Sequence, residues 1–519
     1  MGEALEVQTT SGPVRGAPSQ SVLAFKGIPY AQPPVGRLRL AAPEPPVPWA
    51  NTMVATDFGP VAPQLLGALE AMLGGGEPAQ SEAGCLTLNV WTPATDDARR
   101  PVMVWIHGGA FVTGSGAATW YDGAALARRG DVVVVTFNYR LGVLGFLYLG
   151  ETSAGTGDGA VGNFGLLDQL AALRWVRQNA AAFGGDPDCV TVFGQSAGAM
   201  SIGALFASPD FPGLARRAVL QSGACDHTVS VEHAARNSAV ILDRLGLSPS
   251  TDGLLDALRA LPTATILEAQ APPLPHVLDG MSYLPVRDGV SLTRNPMESV
   301  AQGALRGLDL LVGTNADEAR LFMVTDPSLA DMDEEGLATR VLEVWGPADA
   351  PRIVDRYRMA RPDSSPRDLW LAISTAKSFR IPAIRLAELA SRTQTPGQAA
   401  TFAYLFKWRT PAFGGAFGSC HSLEIPFVFD NLDKPGMAQV LGGEGSAAAL
   451  AAEVADAWVA FARYGRPALR GGPDWVPYSV TGGGHQPGER YRGTMCLDTV
   501  CQMVEDPDGD ERRLWEGTA

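Results

Sequence analysis

The sequence predicts an α/β protein with a large, mostly parallel sheet covered by helices on both faces. Short apolar runs without alternating polar positions recur along the chain, which is typical of strands buried on both faces. Helical segments separate these runs. The clearest is 166–183, in which Leu166, Leu170 and Leu173 share one face. This alternation of buried strands and amphipathic helices is the signature of the α/β class.

Six segments are predicted to be strands of this sheet. Each is an apolar run that ends at glycine or at polar turn residues. They cover residues 101–109, 131–140, 189–198, 217–223, 308–315 and 400–408.

The chain is predicted to form one domain over residues 1–519, because no linker, composition shift or repeat of fixed period divides it. Two long segments near 231–267 and 326–392 have helical patterns interrupted by proline. They are expected to be helical insertions that cap the sheet over the active site. The glycine-rich stretch at 65–82 is either a mobile lid over a pocket or a plain surface connection.

Composition and charge limit the classes of partner. A chain of 519 residues, 46% of them hydrophobic, can bury a large core. Its 40 basic and 55 acidic residues give a net charge of −15, which argues against nucleic-acid or anionic-membrane partners. No apolar run is long enough to span a bilayer, and the N-terminus has no signal-peptide pattern. We therefore expect a cytoplasmic protein, unless a leader has been removed.

Six scattered cysteines are too few for a disulfide scaffold and form no CxxC or Cys/His cluster. Reduced thiols are expected. Neither a metal nor a cofactor is expected.

One serine stands in a pattern typical of a nucleophile. Residues 194–198, GQSAG, match G-x-S-x-G, a tight turn from strand to helix that exposes the serine between small neighbours. A buried strand pattern precedes the motif and a helical pattern follows it, and the motif occurs once in the chain. We therefore predict that Ser196 is a nucleophile, the alternative being a serine with a packing role only.

A serine hydroxyl needs a base that removes its proton. In α/β hydrolases the acid and the histidine both follow the serine. His107, His227, His233 and His276 all precede the candidate acid described below, which leaves His421 and His485. His485 lies in a glycine-rich, polar loop, whereas His421 lies in a loop of small residues between a strand and an apolar run. His421 is favoured, because packing must orient a base.

The acid that orients the base is expected just after strand 308–315. Asp317 and Glu318 both lie there, and spacing alone does not choose between them. Their alternative role is a favourable interaction with the N-terminus of a helix beginning near Ala319.

Donors for a tetrahedral oxyanion are also present. HGGAF, residues 107–111, follows the apolar strand residues PVMVWI (101–106), where an HGGG-type loop is expected, and its glycines let backbone amides approach a substrate oxygen. The amide of Ala197, directly after the serine, is a further candidate donor.

Motifs along essentially the whole chain resemble the type B carboxylesterase family, which includes bacterial p-nitrobenzyl esterases, animal carboxylesterases and cholinesterases. The motifs are FKGIPYAQPPVGRLRL (25–40), CLTLNVWTP (85–93), HGGAF (107–111), NYRLGVLGF (138–146), GNFGLLDQ (162–169), FGGDPDCVTVFGQSAGA (183–199), GTNADEA (313–319), CHSLEIPFVF (420–429), FARYGRP (461–467), WVPY (475–478) and RRLW (512–515).

The resemblance implies an α/β-hydrolase fold and a catalytic triad. The family's nucleophile, acid and base fall on Ser196, Glu318 and His421. Its oxyanion donors fall on Gly109, Ala110 and Ala197. A family serine that supports the triad falls on Ser222. Residues near family substrate-pocket positions are Phe111, Leu284 and Phe322, for each of which core packing is the more common role.

One departure from the family concerns a structural salt bridge. The family usually has a glutamate and an aspartate where this chain has Ala83 and Gly84, and Glu82 stands one place early. In the family the glutamate pairs with the arginine matching Arg37 or Arg39. The sequence leaves open whether this pair forms.

Two further departures lie at the disulfide and at the site. Ala62 replaces the cysteine that secreted members join to the one matching Cys85, so Cys85 is expected to be free. Gln195 replaces the usual glutamate before the nucleophile. No tryptophan lies between 51 and 90, where choline-binding relatives carry their cation-binding indole, so cholinesterase activity is not expected.

The sequence thus predicts a bacterial-type serine hydrolase that cleaves small-molecule carboxylic esters through an acyl-enzyme. An amidase or carbamate hydrolase with the same triad is an alternative, because leaving-group preference depends on pocket shape. The other alternative is an interaction module of the same fold. The complete triad and oxyanion loop argue against it. Oligomeric state does not follow from the sequence.

Overall fold

The structure is a computed structural model. It describes residues 5–66, 78–150, 162–271, 274, 281–324, 326–395, 397–442, 447–480 and 491–516. Most of the glycine-rich stretch at 65–82 and the loop that contains His485 lie outside these residues.

An eleven-stranded sheet forms the centre of the described chain, and three short strands form a second sheet. In chain order, the strands are β1 (Glu6–Gln8), β2 (Pro13–Arg15), β3 (Ala17–Ser19), β4 (Val22–Pro29), β5 (Met53–Val54), β6 (Thr87–Thr92), β7 (Arg100–Ile106), β8 (Val133–Phe137), β9 (Gly185–Gln195), β10 (Arg217–Gln221), β11 (Asp309–Asn315), β12 (Thr401–Phe406), β13 (Gly493–Leu497) and β14 (Gln502–Glu505).

The large sheet has the order β14-β13-β12-β11-β10-β9-β7-β8-β6-β4-β3. Neighbouring strands from β13 to β8 are parallel, and the strands beyond them at either edge are antiparallel. The six predicted strands correspond to β7 to β12. The predicted α/β class is therefore confirmed, with a sheet that is mixed at its edges.

Helices occupy the connections between the strands. In chain order, they are α1 (Ala124–Gly130), α2 (Gly142–Phe146), α3 (Phe164–Asn179), α4 (Ala197–Leu205), α5 (Val231–Arg244), α6 (Leu254–Ala260), α7 (Thr263–Gln270), α8 (Pro296–Ala301), α9 (Glu334–Ala360), α10 (Pro366–Thr375), α11 (Ile381–Thr393), α12 (Ile425–Val428), α13 (Met437–Leu441), α14 (Ala447–Tyr464) and α15 (Gly509–Leu514). A π-helical turn at Ala376–Arg380 joins α10 to α11.

The segments near 231–267 and 326–392 contain α5 to α7 and α9 to α11. The helix within 166–183 is α3, whose leucines at 166, 170 and 173 are buried.

Each central strand faces a hydrophobic core on both sides. On β7, Val102 and Val104 pack into the core that includes α3 and α4. Met103 and Trp105 point to the opposite core, which includes α1 and α14. This arrangement explains why the sequence of the strand does not alternate, since both faces of the parallel sheet exclude water.

A buried ion pair anchors the connection after β8 to α3. The Arg140 Nε donates to Asp168 Oδ2 at 2.8 Å and its Nη2 to Oδ1 at 2.7 Å, and the Arg140 backbone amide also donates to Oδ2. Both side chains are buried. A buried bidentate pair of this kind fixes the two elements relative to each other, because neither charge can lose its partner cheaply.

The salt bridge that the sequence left open is present. Arg39 Nε donates to Glu82 Oε2 at 2.8 Å and Nη2 to Oε1 at 2.6 Å, and both side chains are largely buried. A 3₁₀ turn at Glu82–Gly84 carries the carboxylate. Arg37 pairs instead with Glu44 at the surface, so Glu82 supplies the buried partner from one position earlier than the family pattern.

Cys85 is free, as expected from the absence of a partner cysteine at Ala62. Both residues line the same small recess. Burial raises the pKa of the Cys85 thiol to about 12, so the thiol is neutral and unreactive at neutral pH. Within the described part of the chain, no helix combines the length and apolar character needed to cross a membrane.

The buried ion pair gives a test of the fold. Asp168→Ala leaves the Arg140 guanidinium buried without its carboxylate, so we expect the free energy of unfolding to fall by about 3–5 kcal/mol. Asp188→Ala is the matched control, because its partner Arg177 and Asp188 itself are both exposed. That loss should stay below about 1 kcal/mol. Urea unfolding followed by tryptophan fluorescence measures both, and equal losses would contradict the assignment.

Candidate active site

Ser196 lies at the turn between β9 and α4, with φ 55° and ψ −127°. A non-glycine residue with positive φ is uncommon and marks strain held by its surroundings. The turn is tight because small residues flank it. A Cβ added to Gly198 would lie 2.0 Å from the Ile106 carbonyl oxygen, and one added to Gly194 would lie 2.8 Å from the Gly198 carbonyl carbon. The two glycines of the motif are therefore required by close backbone approach.

His421 and Glu318 form a buried pair beside this turn. The His421 Nδ1 lies 2.6 Å from Glu318 Oε2, and the Asn315 backbone amide donates to Glu318 Oε1 at 2.6 Å. Glu318 is 0% exposed and His421 5%. A carboxylate only accepts hydrogen bonds, so in the neutral ring Nδ1 carries the proton and Nε2 presents a lone pair. This tautomer can accept a proton at Nε2.

Asp317 points away from the histidine although it is adjacent to Glu318. Its Oδ2 accepts from Arg409 Nη1 at 2.9 Å and from the Ser419 backbone amide at 3.0 Å, and Arg320 pairs with its Oδ1. The two carboxylates that spacing alone could not separate thus lie in different environments. Of the two, the structure brings Glu318 to the imidazole.

The HGGAF loop lies directly against the serine. A Cβ added to Gly108 would be 3.1 Å from the Ser196 Cβ. Gly109 and Ala110 have φ of 111° and 52°. Across the described residues, the amides of Gly109, Ala110 and Ala197 donate to no acceptor. Amides without a partner beside a partly exposed serine are suited to stabilise an oxyanion. They are already in place when the negative charge develops, so the protein does not have to reorganise.

A tyrosine holds this loop in place. The Tyr139 hydroxyl donates to the His107 carbonyl at 2.9 Å, and the two rings stack with centroids 4.3 Å apart. His107 Nδ1 lies 2.8 Å from the Gly108 carbonyl, to which it donates. Burial lowers the pKa of His107 to about 4, so this ring is neutral and acts as a rigid support.

A second buried carboxylate lies behind the pair. The Asn315 side-chain amide donates to Glu424 Oε2 at 2.7 Å and to the Cys420 carbonyl at 2.6 Å. Because the backbone amide of the same residue holds Glu318, Asn315 connects the two carboxylates. Burial, and then the charge of Glu318, raises the pKa of Glu424.

The other oxygen of Glu424 is held from β10 and α14. Gln221 Nε2 donates to Glu424 Oε1 at 3.0 Å, and Trp458 Nε1 donates to Gln221 Oε1 at 3.0 Å. Sequence reasoning missed Asn315, Gln221 and Glu424. Asn315 and Glu424 lie within recognised motifs, but only the packing of separate strands shows that their side chains meet.

Ser222 lies at the end of β10 with φ 52°, and its amide donates to the Gly313 carbonyl at 2.8 Å. Within the described residues, its buried hydroxyl has no hydrogen-bond partner. Its supporting role in the triad stays a prediction.

The three predicted pocket residues lie in different places. Phe322 is 37% exposed, and its ring centroid lies 5.4 Å from that of His421. Phe111 is fully buried and packs edge-on against Phe146. Leu284 is buried and lines a small recess that also includes Phe146. Phe322 thus adjoins the candidate base, and the pocket roles of all three stay predictions.

Phe379, which sequence reasoning missed, packs against the imidazole beside Phe322. Its ring centroid lies 4.9 Å from that of His421, and it stacks on Phe322 at an interplanar angle of 7°. Phe379 lies on the π-helical turn, a rare conformation that occurs often at functional sites. The two phenylalanines give the imidazole an apolar wall.

The close packing of the serine turn can be tested by adding one methyl group. Gly198→Ala places a Cβ against the Ile106 carbonyl, and backbone cannot move aside without separating α4 from β7. We expect it to lower the free energy of unfolding by about 1–3 kcal/mol or more. Gly336→Ala in α9 is the control, because its new Cβ meets nothing closer than 3.4 Å. A Gly198→Ala protein as stable as the control would contradict this account.

Comparisons with known proteins agree on one family. The carboxylesterase family model matches residues 3–488. Para-nitrobenzyl esterase of Bacillus subtilis is 38% identical over 98% of this chain and 97% of its own. Phenmedipham hydrolase of Pseudarthrobacter oxydans is 36% identical over 91% and 92% of the two chains. The crystal structure of a Geobacillus stearothermophilus carboxylesterase superposes with a TM-score of 0.86 at 39% identity, covering 98% of this chain and all of that one. The chain therefore belongs to the carboxylesterase family, and it is an α/β-hydrolase that cleaves carboxylic esters.

Proposed function

We propose that Ser196 is the nucleophile of this carboxylesterase, with His421 as its general base and Glu318 as the acid that orients the base. The observation that carries the proposal is the His421–Glu318 hydrogen bond of 2.6 Å beside a serine in a strained turn between strand and helix. This arrangement has the parts that nucleophilic catalysis by serine requires.

In the first half of the reaction, Ser196 Oγ attacks the ester carbonyl and its proton moves to His421 Nε2. The imidazolium that forms is stabilised by Glu318, which keeps its negative charge and holds Nδ1–H in place. The carbonyl oxygen becomes an oxyanion, and the amides of Gly109, Ala110 and Ala197 donate to it. His421 then protonates the alkoxide, which leaves as an alcohol, and the acyl group stays on Ser196.

In the second half, water replaces the alcohol. His421 removes a proton from the water, whose oxygen attacks the acyl carbon, and a second oxyanion forms on the same three amides. Collapse of this intermediate breaks the bond to Ser196 Oγ, which takes its proton back from His421. The acid is released and the enzyme returns to its starting state without any other reactant.

We further propose that the substrates are small-molecule esters and that the chain works as one domain in the cytoplasm. The continuous sheet from β3 to β14 supports the single domain. Six unpaired cysteines support a reducing compartment.

The nucleophile is tested by replacing its hydroxyl. Ser196→Ala should lower kcat/KM for p-nitrophenyl butyrate by about 10⁴-fold or more while the fold is kept. Ser248→Ala is the control, since this serine lies on an exposed loop, and it should retain wild-type activity. Mass spectrometry after phenylmethylsulfonyl fluoride treatment should place the label on residue 196. A folded Ser196→Ala protein with wild-type turnover would refute the proposal, and p-nitroanilide analogues would show whether amides are also cleaved.

The acid is tested by a pair of adjacent isosteric changes. Glu318→Gln replaces the acceptor for Nδ1–H with an amide that can stabilise the wrong tautomer, so kcat should fall by roughly 10³–10⁴-fold. Asp317→Asn perturbs only contacts with Arg320, Arg409 and Ser419, so kcat should change less than about tenfold. Steady-state kinetics on both variants decides the matter. A larger loss in Asp317→Asn would reverse the assignment.

A further inference from the structure

The side chain of Gln195 contacts His421 Nε2, the imidazole nitrogen that has to accept a proton in the proposed mechanism. Gln195 Nε2 lies 3.1 Å from His421 Nε2. Gln195 is the last residue of β9, directly before Ser196, and its side chain is 2% exposed. The contact is therefore fixed by the strand and shielded from water.

The direction of this hydrogen bond follows from the other side of the ring. Because Glu318 takes the proton on Nδ1, His421 Nε2 in the neutral ring has only a lone pair to offer. The amide of Gln195 is then the donor. Ser196 does not compete for the lone pair here, since within the described residues its hydroxyl makes no hydrogen bond. In the resting enzyme, the amide of Gln195 donates to the lone pair of His421 Nε2, which is the lone pair that has to accept the proton of Ser196.

We infer that Gln195 is a positioning residue that keeps His421 in its neutral, proton-accepting form and yields to the Ser196 hydroxyl when an ester binds. The inference rests on the proposed function of Ser196 and His421. Catalytic hydrogen bonds that are absent or long without substrate often tighten in the complex, so the resting geometry does not conflict with catalysis.

The physical reason is that this bond exists only with the unprotonated ring. A donor to the neutral form of a base disfavours its charged form. If His421 were protonated, its Nε2–H would face the N–H of the amide in this orientation, and the amide would have to turn over to present its oxygen instead. A glutamate at this position, as the family usually has, would have the opposite effect, because a carboxylate accepts from the imidazolium and attracts its charge. The glutamine therefore lets the base work at lower pH than a glutamate would.

The other groups near the imidazole are the same in every variant considered below. The two rings that pack against it, Phe322 and Phe379, carry no charge. Asp317 forms salt bridges with Arg320 and Arg409. The titratable groups on the elements around it are Glu318, Glu424, Cys420, Tyr404 and His107, together with Arg320 on the turn that carries Phe322 and with Lys377 and Arg380 on the turn that carries Phe379.

The test is the pH profile of kcat/KM for wild type, Gln195→Met and Gln195→Glu, measured by pH-stat with ethyl butyrate, which does not ionise. Methionine matches the length of glutamine but removes the donor, so the midpoint of the acid limb should move up by about 0.5–1 pH unit. Glutamate replaces the donor with a charged acceptor and should move it further, by about 1–2 units.

A purely structural role for Gln195 would lower the rate without this ordered shift. Acid limbs that coincide in the three proteins, or a midpoint that is lower in Gln195→Glu than in wild type, would overturn the inference. If Gln195→Met does not fold, the isosteric Gln195→Glu decides alone. The rate of Ser196 labelling by phenylmethylsulfonyl fluoride against pH should show the same order. An inactive wild type, or an active Ser196→Ala, would instead count against the proposed function.

Discussion

The strained backbone at Ser196 is the constraint on which the rest of the site depends. A serine with positive φ is stable only where its surroundings leave no alternative. Here β9 is fixed between two parallel neighbours, α4 begins at the next residue, and Gly198 allows that helix to contact the Ile106 carbonyl. The same contact brings the HGGAF loop against the serine. The cost of the turn is therefore balanced by the packing of the central sheet.

The second requirement is a charge kept away from water. A buried carboxylate is costly unless it is hydrogen-bonded, and Glu318 has both the Asn315 amide and the His421 imidazole. Glu424 lies behind this pair and accepts hydrogen bonds from the side-chain amides of Gln221 and Asn315. Burial, and then the charge of Glu318 in the same cluster, disfavours the ionisation of Glu424. The donors on Asn315 and Gln221 stabilise this arrangement, and they come from the strands that hold the site.

The central strands could be predicted from the sequence because they are buried on both faces, which leaves an unbroken apolar run such as VVVVTF. Strands at or next to the ends of the sheet, such as β3, β13 and β14, could not, since they are short and carry mixed residues. The serine and the histidine stood in recognisable motifs. The choice of Glu318 over Asp317 needed the resemblance, because adjacent side chains diverge only in three dimensions. The contact between Gln195 and His421 had no sequence signal at all.

The segments that carry residues 196, 318 and 421 follow β9, β11 and β12, and the register of the four neighbouring parallel strands β9 to β12 brings their carboxyl ends to one edge of the sheet. In the register of β9 to β12, Gln195 is paired with Gln221, Gln221 with Gly313, and Asn315 with Phe406. A shift of one residue in any pair would turn side chains to the opposite face. The hydrogen bond between Gln195 and His421 depends on the same register, since it joins the end of β9 to the loop after β12. The state of His421, the proposed base, therefore depends on the alignment of the sheet as much as on the residues that contact it.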